Sequence, residues 1–128
     1  MEHHNLPAAD LTYRIIGLAM RVHRELGPGL LESIYEKCLC YELGRAGIPF
    51  RRQIALNVHY DDTIMESGCV ADIIVDNAVV LELKAVERML PVHEAQLLTY
   101  LRLSDCRVGL LINFNTVSLT DGIKRRVL

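Results

Sequence analysis

One segment constrains this chain more than any other: Val70-Ala-Asp72-Ile-Ile-Val-Asp-Asn-Ala-Val-Val-Leu-Glu82-Leu-Lys84. Two runs rich in Val, Ile and Leu, 70–75 and 79–84, flank the turn signal Asp76-Asn77. Such runs suit strands covered on both faces. Three ionisable residues interrupt them. A charge is costly to bury unless it is paired or bound to metal. Asp72, Glu82 and Lys84 must therefore lie at the rim of a sheet or be compensated there.

The register decides whether these groups meet. Side chains alternate faces along a strand, so Glu82 and Lys84 share one. With a two-residue Asp76-Asn77 loop, Asp72 opposes Leu81 and points away from Glu82. With a three-residue loop or a bulge, Asp72 opposes Glu82. The second register leaves one face wholly apolar (Ala71, Ile73, Val75, Val79, Leu81, Leu83) and gathers Asp72, Glu82 and Lys84 on the other. A one-residue slip would mix the two sets, so the odd loop is predicted. Two carboxylates on one face suit a hard divalent cation such as Mg²⁺. A lysine beside them can orient a water and stabilise charge developing on a phosphate. The competing reading is an ordinary surface ion pair, Glu82–Lys84 or Asp72–Lys84.

The rest of the chain frames this hairpin. Asp10 is placed to cap a helix from about Leu11 to Leu26, with Ile15, Leu18, Ala19, Val22 and Leu26 at helical spacing. Gly27-Pro28-Gly29 stops it. A second helix is predicted from about Leu30 to Arg45, with an apolar stripe of Leu31, Ile34, Cys38, Tyr41 and Leu43 and an exit at Gly47 and Pro49. From Phe50 the period changes to two. Thr63–Ser67 reads as a short returning strand, with Gly68 as a kink or bulge. Pro91 opens a third helix to about Leu103. Val108–Ile112 is a buried strand and Val117–Leu119 a short edge strand. Thr120 is placed to cap a last helical turn carrying Lys124-Arg125-Arg126. This order reads as a single α/β domain over 1–128, with a mixed four- to five-stranded sheet flanked by helices.

Composition narrows the function. The formal charge is −2, so any surface that tracks phosphates must be local or be supplied by a metal. Arg51, Arg52, Arg88, Arg102, Lys124, Arg125 and Arg126 are the candidate phosphate contacts. With two Phe and no Trp there is little for base stacking, which favours duplex backbone over single strands. No apolar run approaches the length of a membrane span. The start, Met1 to Pro7, carries an acid where a signal peptide carries base, so a cytoplasmic protein is expected. Cys38, Cys40, Cys69 and Cys106 lack zinc-site spacing and read as free thiols.

Asp72 followed by Glu82-Leu83-Lys84 resembles the D…(D/E)-x-K signature of the PD-(D/E)xK nuclease superfamily. Gly29-Leu-Leu-Glu32-Ser-Ile-Tyr35 resembles the motif of the bacterial GxxExxY family within it. The likeness continues through Glu94-Ala-Gln96-Leu-Leu-Thr-Tyr100-Leu and Gly109-Leu-Leu-Ile-Asn113-Phe114, and spans roughly Leu11 to Val127. It implies a restriction-endonuclease-like core and a Mg²⁺- or Mn²⁺-dependent endonuclease. Asp72 and Glu82 match metal-binding carboxylates, the Leu83 carbonyl a further metal-facing group, and Lys84 the catalytic lysine. Glu32 matches a helix acid, implied as an outer or second-metal ligand, and Gln96 a helix glutamine beside the site. The proline usual before the Asp is replaced by Ala71. The partner implied is nucleic acid, with duplex DNA favoured, bound by a homodimer. Two rivals stand beside this reading: a non-cleaving nuclease-fold module that binds nucleic acid or a protein, and an ion-pair cluster in an oligomer interface.

Overall fold

In a computed structural model, which describes residues 7–128, three helices pack on two sides of one sheet. The first six residues, part of the stretch read above for a signal peptide, lie outside the described residues. The helices are α1 (Ala9–Leu26), α2 (Glu32–Arg45) and α3 (Pro91–Ser104). The strands are β1 (Phe50–Tyr60), β2 (Thr63–Val75), β3 (Val79–Lys84), β4 (Val108–Asn113) and β5 (Ile123–Val127), and they lie in the order β1-β2-β3-β4-β5. All pairs are antiparallel except β3–β4, which α3 connects as a parallel crossover.

Two apolar clusters follow from this layering. The first joins Ile15, Ala19 and Val22 of α1 and Tyr35, Leu39 and Leu43 of α2 to Ile73, Val75, Val79, Leu81 and Leu83. The second joins Leu97, Tyr100 and Leu101 of α3 to Leu56, Ala71, Ile74, Val80 and Leu111. Gly109 lets α3 sit close to β4: a Cβ there would come within 2.7 Å of Leu97 Cδ1.

The hairpin register is the predicted one. Val75 pairs with Val79 and Ile73 with Leu81 across the three residues Asp76, Asn77 and Ala78. Asp76 and Asn77 both take positive φ, 52° and 51°, which short polar side chains tolerate best. Gly68, at φ 78°, sits where β1 and β2 lose register, so 63–75 is one bulged strand rather than two. The apolar face differs in one member. Ala71 belongs to the α3 cluster, because the β1–β2 ribbon turns over beside it.

Other expectations are corrected. Asp10 does not cap α1; Ala8 holds that position and Asp10 lies in the first turn. The buried stripe of α2 is Tyr35, Glu36, Leu39, Cys40 and Leu43. Of the expected stripe Leu43 is buried and Cys38 half-buried, but Leu31, Ile34 and Tyr41 are exposed, so the face is rotated toward Glu36 and Cys40. Residues 117–119 form no strand: Val117 is 95% exposed and Leu119 opens a short 3₁₀ turn. Lys124-Arg125-Arg126 lie on β5, where pairing with the buried β4 overrides a weak capping signal at Thr120.

Candidate active site at the β2–β3 fork

The backbone ladder between β2 and β3 is recorded from Val75–Val79 to Ile73–Leu81, and side chains take over at the next position. The Leu83 N–H donates to Asp72 Oδ2 at 2.8 Å, and the Asp72 N–H donates to Glu82 Oε1 at 3.3 Å. Each strand thus offers a backbone donor to the other strand's carboxylate. The strands fork here because carboxylates occupy the places that carbonyls would fill in a continuous ladder.

The fork is desolvated. Glu82 is 4% exposed. Burial, then the neighbouring Asp72, push its carboxyl up to about 9. Burial also raises Asp72, while the Leu83 N–H and the Glu82 carboxyl pull it back. Lys84, half-buried at the end of β3, acts on both acids in the opposite sense to burial. Excess negative charge in a low-dielectric niche favours either a shared proton or a cation.

α3 supplies the wall. Tyr100 is buried, and burial followed by the charges of Glu82, Cys69 and Asp72 raises its hydroxyl to about 12. Gln96, one turn earlier and exposed, hydrogen-bonds to it. The Leu90 N–H donates to His93 Nδ1 at 3.0 Å, so the imidazole caps the start of α3. Asn113 fixes the segment that leaves β3. Its Oδ1 accepts from the Val86 N–H at 3.1 Å, and its Nδ2 donates to the Val86 carbonyl at 2.9 Å.

Asp72, Glu82 and Lys84 therefore come together, and Gln96 is linked to them only through Tyr100. Glu32 lies exposed at the first residue of α2. The α2 acid whose charge reaches Asp72 is Glu36, 7% exposed. Arg52 binds it through Nη2 at 2.7 Å and Nε at 3.1 Å, and Gln53 Nε2 donates to it at 2.8 Å. Glu36, Arg52, Gln53 and Tyr100 were not identified together from sequence. The available signal was an acid at position 36 in the helical frame of Cys40 and Leu43, an echo of Asp72 among apolar neighbours.

The basic residues separate by employment. Arg51 donates to Asn77 Oδ1, Arg52 to Glu36 and Arg125 to the Pro7 carbonyl. Arg102 donates to Thr99 Oγ1, and Arg126 pairs with Glu94. Lys124 is exposed, and the register runs Glu82–Leu111–Lys124, so it shares a row and a face with Glu82. Strands about 4.8 Å apart put it ~10 Å away along that row.

A family model for the PD-(D/E)XK nuclease superfamily matches residues 9–126. The chain belongs to that superfamily. Comparison with curated proteins and with solved structures returns no significant match. The superfamily's mixed α/β core is the architecture described above, and its members generally use divalent metal ions.

The donor set can be tested against such an ion. Among the described residues no three His, Cys, Asp or Glu side chains form a ligand cluster. The fork instead offers two carboxylates held face to face by backbone donors. That suits Mg²⁺, which takes one or two carboxylates and fills its other positions with water and substrate oxygens. It does not suit a structural zinc site. Asp72 and Glu82 are the side chains at the fork whose chemistry fits such an ion. The GxxExxY-like motif has a structural part too. The Tyr35 hydroxyl donates to the Gly27 carbonyl at 2.6 Å and accepts from the Leu30 N–H at 3.1 Å, and the ring stacks on Phe114 with centroids 4.5 Å apart. Tyr35 thereby closes the turn between α1 and α2.

Proposed function

We propose that this protein is a Mg²⁺- or Mn²⁺-dependent endonuclease that hydrolyses DNA phosphodiesters at the β2–β3 fork. The observation that supports it is the apposition of Asp72 and Glu82, Glu82 accepting from the Asp72 N–H and Asp72 from the Leu83 N–H, in a desolvated niche with Lys84 beside them. When bound, a divalent cation supplies charge that offsets both carboxylates and the charge developing on a phosphate. Lys84 orients the attacking water and stabilises that developing charge. Gln96, braced by Tyr100, hydrogen-bonds to the water or to a phosphate oxygen. Lys124 contacts a neighbouring phosphate, with Arg51, Arg52 and Arg125 secondary because each is already engaged within the chain. Glu32, exposed at the start of α2, serves as an outer carboxylate. The motif around Gly29 and Tyr35 favours the GxxExxY branch. One small domain covers little of a duplex, so the working form is a homodimer. Its free thiols suit the cytoplasm.

The test is cleavage of supercoiled plasmid with Mg²⁺ or Mn²⁺ by the wild type, Asp72→Ala and Lys84→Ala. The wild type is expected to nick and linearise the plasmid, and each variant to lose about 100-fold or more in rate. Equal cleavage by all three would assign the activity to a contaminant. A second reading, a non-cleaving module that binds nucleic acid or a protein, is favoured by one observation: four of the six lysines and arginines on the strands, Arg51, Arg52, Arg125 and Arg126, are engaged internally. Calorimetric titration with Mn²⁺ separates the two. A module of that kind takes up no Mn²⁺, or takes it up indifferently to Glu82→Ala.

A further inference from the structure

The β1–β2 ribbon turns over at one place. On β1, Phe50 packs with the α1–α2 cluster, yet Ile54 and Leu56, which strict alternation would put on the same face, pack with the α3 cluster. On β2, Val75 and Ile73 pack with the first cluster, and Ala71 and Cys69 with the second. The change falls between the pairs Arg52–Ile73 and Ile54–Ala71. The residues between those pairs are Gln53 and Asp72. Gln53 carries φ 49°, a left-handed backbone in the middle of a strand, and its side chain is tied to the buried Glu36, which also holds Arg52. Non-glycine residues rarely adopt that conformation without something to hold them.

We propose that Glu36, acting through Gln53 and Arg52, is a positioning residue for the metal-binding carboxylate Asp72. By gripping both side chains, Glu36 holds Gln53 in its left-handed conformation. That conformation rotates the ribbon, so that Asp72 faces Glu82 and the Leu83 amide rather than continuing the ladder. Without the grip, β1 relaxes toward regular extended backbone, the ribbon loses its turn-over, and the Asp72 side chain moves off the fork. This rests on the fork being a metal site, as argued above, but the positioning itself is readable without metal.

Two readouts test it on the full-length protein below its melting temperature. One is amide hydrogen exchange of Leu83 in metal-free protein, which reports the bond to Asp72 Oδ2. The other is Mn²⁺ affinity by calorimetry. Gln53→Ala removes the grip and resists positive φ. It is expected to speed Leu83 exchange and weaken Mn²⁺ binding by about 10- to 100-fold, the usual cost of losing a supporting partner of a ligand. Gln53→Gly also removes the grip but adopts the left-handed backbone freely, so it should restore both readouts toward wild type. Glu36→Ala should match Gln53→Ala and serves in its place if that variant does not fold. A purely stabilising role predicts lower melting temperatures with both readouts unchanged, and that result overturns the proposal. Equal loss in Gln53→Ala and Gln53→Gly overturns it too, since the side chain and not the backbone shape would then matter. If wild-type protein takes up no Mn²⁺, the metal-site reading fails instead, and the positioning claim is decided by Leu83 exchange alone.

Discussion

Two buried carboxylates are treated in opposite ways. Glu36, at the α2–β1 junction, is answered by a guanidinium and an amide that supply three hydrogen bonds. Glu82, at the β2–β3 fork, is answered by a backbone N–H and by a second acid. The first is a completed ion pair that ties a helix to a strand. The second is left short of positive charge and rises to about 9. A fold gains no stability from an acid held ionised in that way. The contrast therefore separates an acid whose charge is answered within the fold from one left open to a cation more sharply than burial does, since both are nearly excluded from solvent.

The largest expected effect breaks the contrast at the fork. The Glu82 carboxyl is raised in the folded protein above its ordinary value of 4.5, so the folded state binds the extra proton between roughly pH 4.5 and 9. Stability from this group is full below pH 4.5 and is lost as pH climbs toward 9. Glu82→Gln should melt like wild type at pH 4 and increasingly above it toward pH 9, followed by circular dichroism. Parallel melting curves at both ends would show that Glu82 is not held protonated. Next in size is the response to cation. Saturating Mg²⁺ or Mn²⁺ at pH 8 should raise the wild-type melting temperature, equivalent to about 2.7 kcal/mol when the ion is at 100 times its Kd. Asp72→Asn should abolish that rise. Arg52→Ala should leave it in place with a weakened slope, because Arg52 supports the fork only indirectly. The smallest effect lies at the structural acid. Arg52→Ala leaves Glu36 with one amide donor and should cost about 1–2 kcal/mol in urea unfolding at pH 7. Most of that should return on adding Glu36→Gln, which removes the stranded charge. No recovery in the double variant would make the Arg52 contribution one of packing.

The β2–β3 fork was legible in the sequence because its logic is one-dimensional. Only the odd loop keeps charges off the apolar face, and period-two alternation then brings Asp72 to Glu82. The order of helices and strands was legible for a similar reason, since Gly27-Pro28-Gly29, Gly47 and Pro91 punctuate it. The α2–β1 junction was not. Assigning the stripe of α2 to Leu31, Ile34, Cys38, Tyr41 and Leu43 was right only at Leu43 and in part at Cys38, and left out Glu36, since an acid on a helix needs no explanation. A short helix with apolar residues on several sides has no single best phase, and contact with a sheet not yet built decides among them. Nor could alternation foresee Ala71, because Gln53 takes a backbone conformation that its residue type does not announce. β5 was missed because its cations suggest a solvated helical turn, while its strand character comes from pairing with β4.

The turn-over of the ribbon also bears on how the chain folds. One hairpin feeds both apolar clusters, Phe50 and Ile73 on one side, Leu56 and Ala71 on the other. Neither layer of helices can then dock or detach without disturbing strands that the opposite layer relies on. The protein is accordingly expected to denature as one cooperative unit, with no half-folded species in which the α1–α2 layer survives the loss of α3.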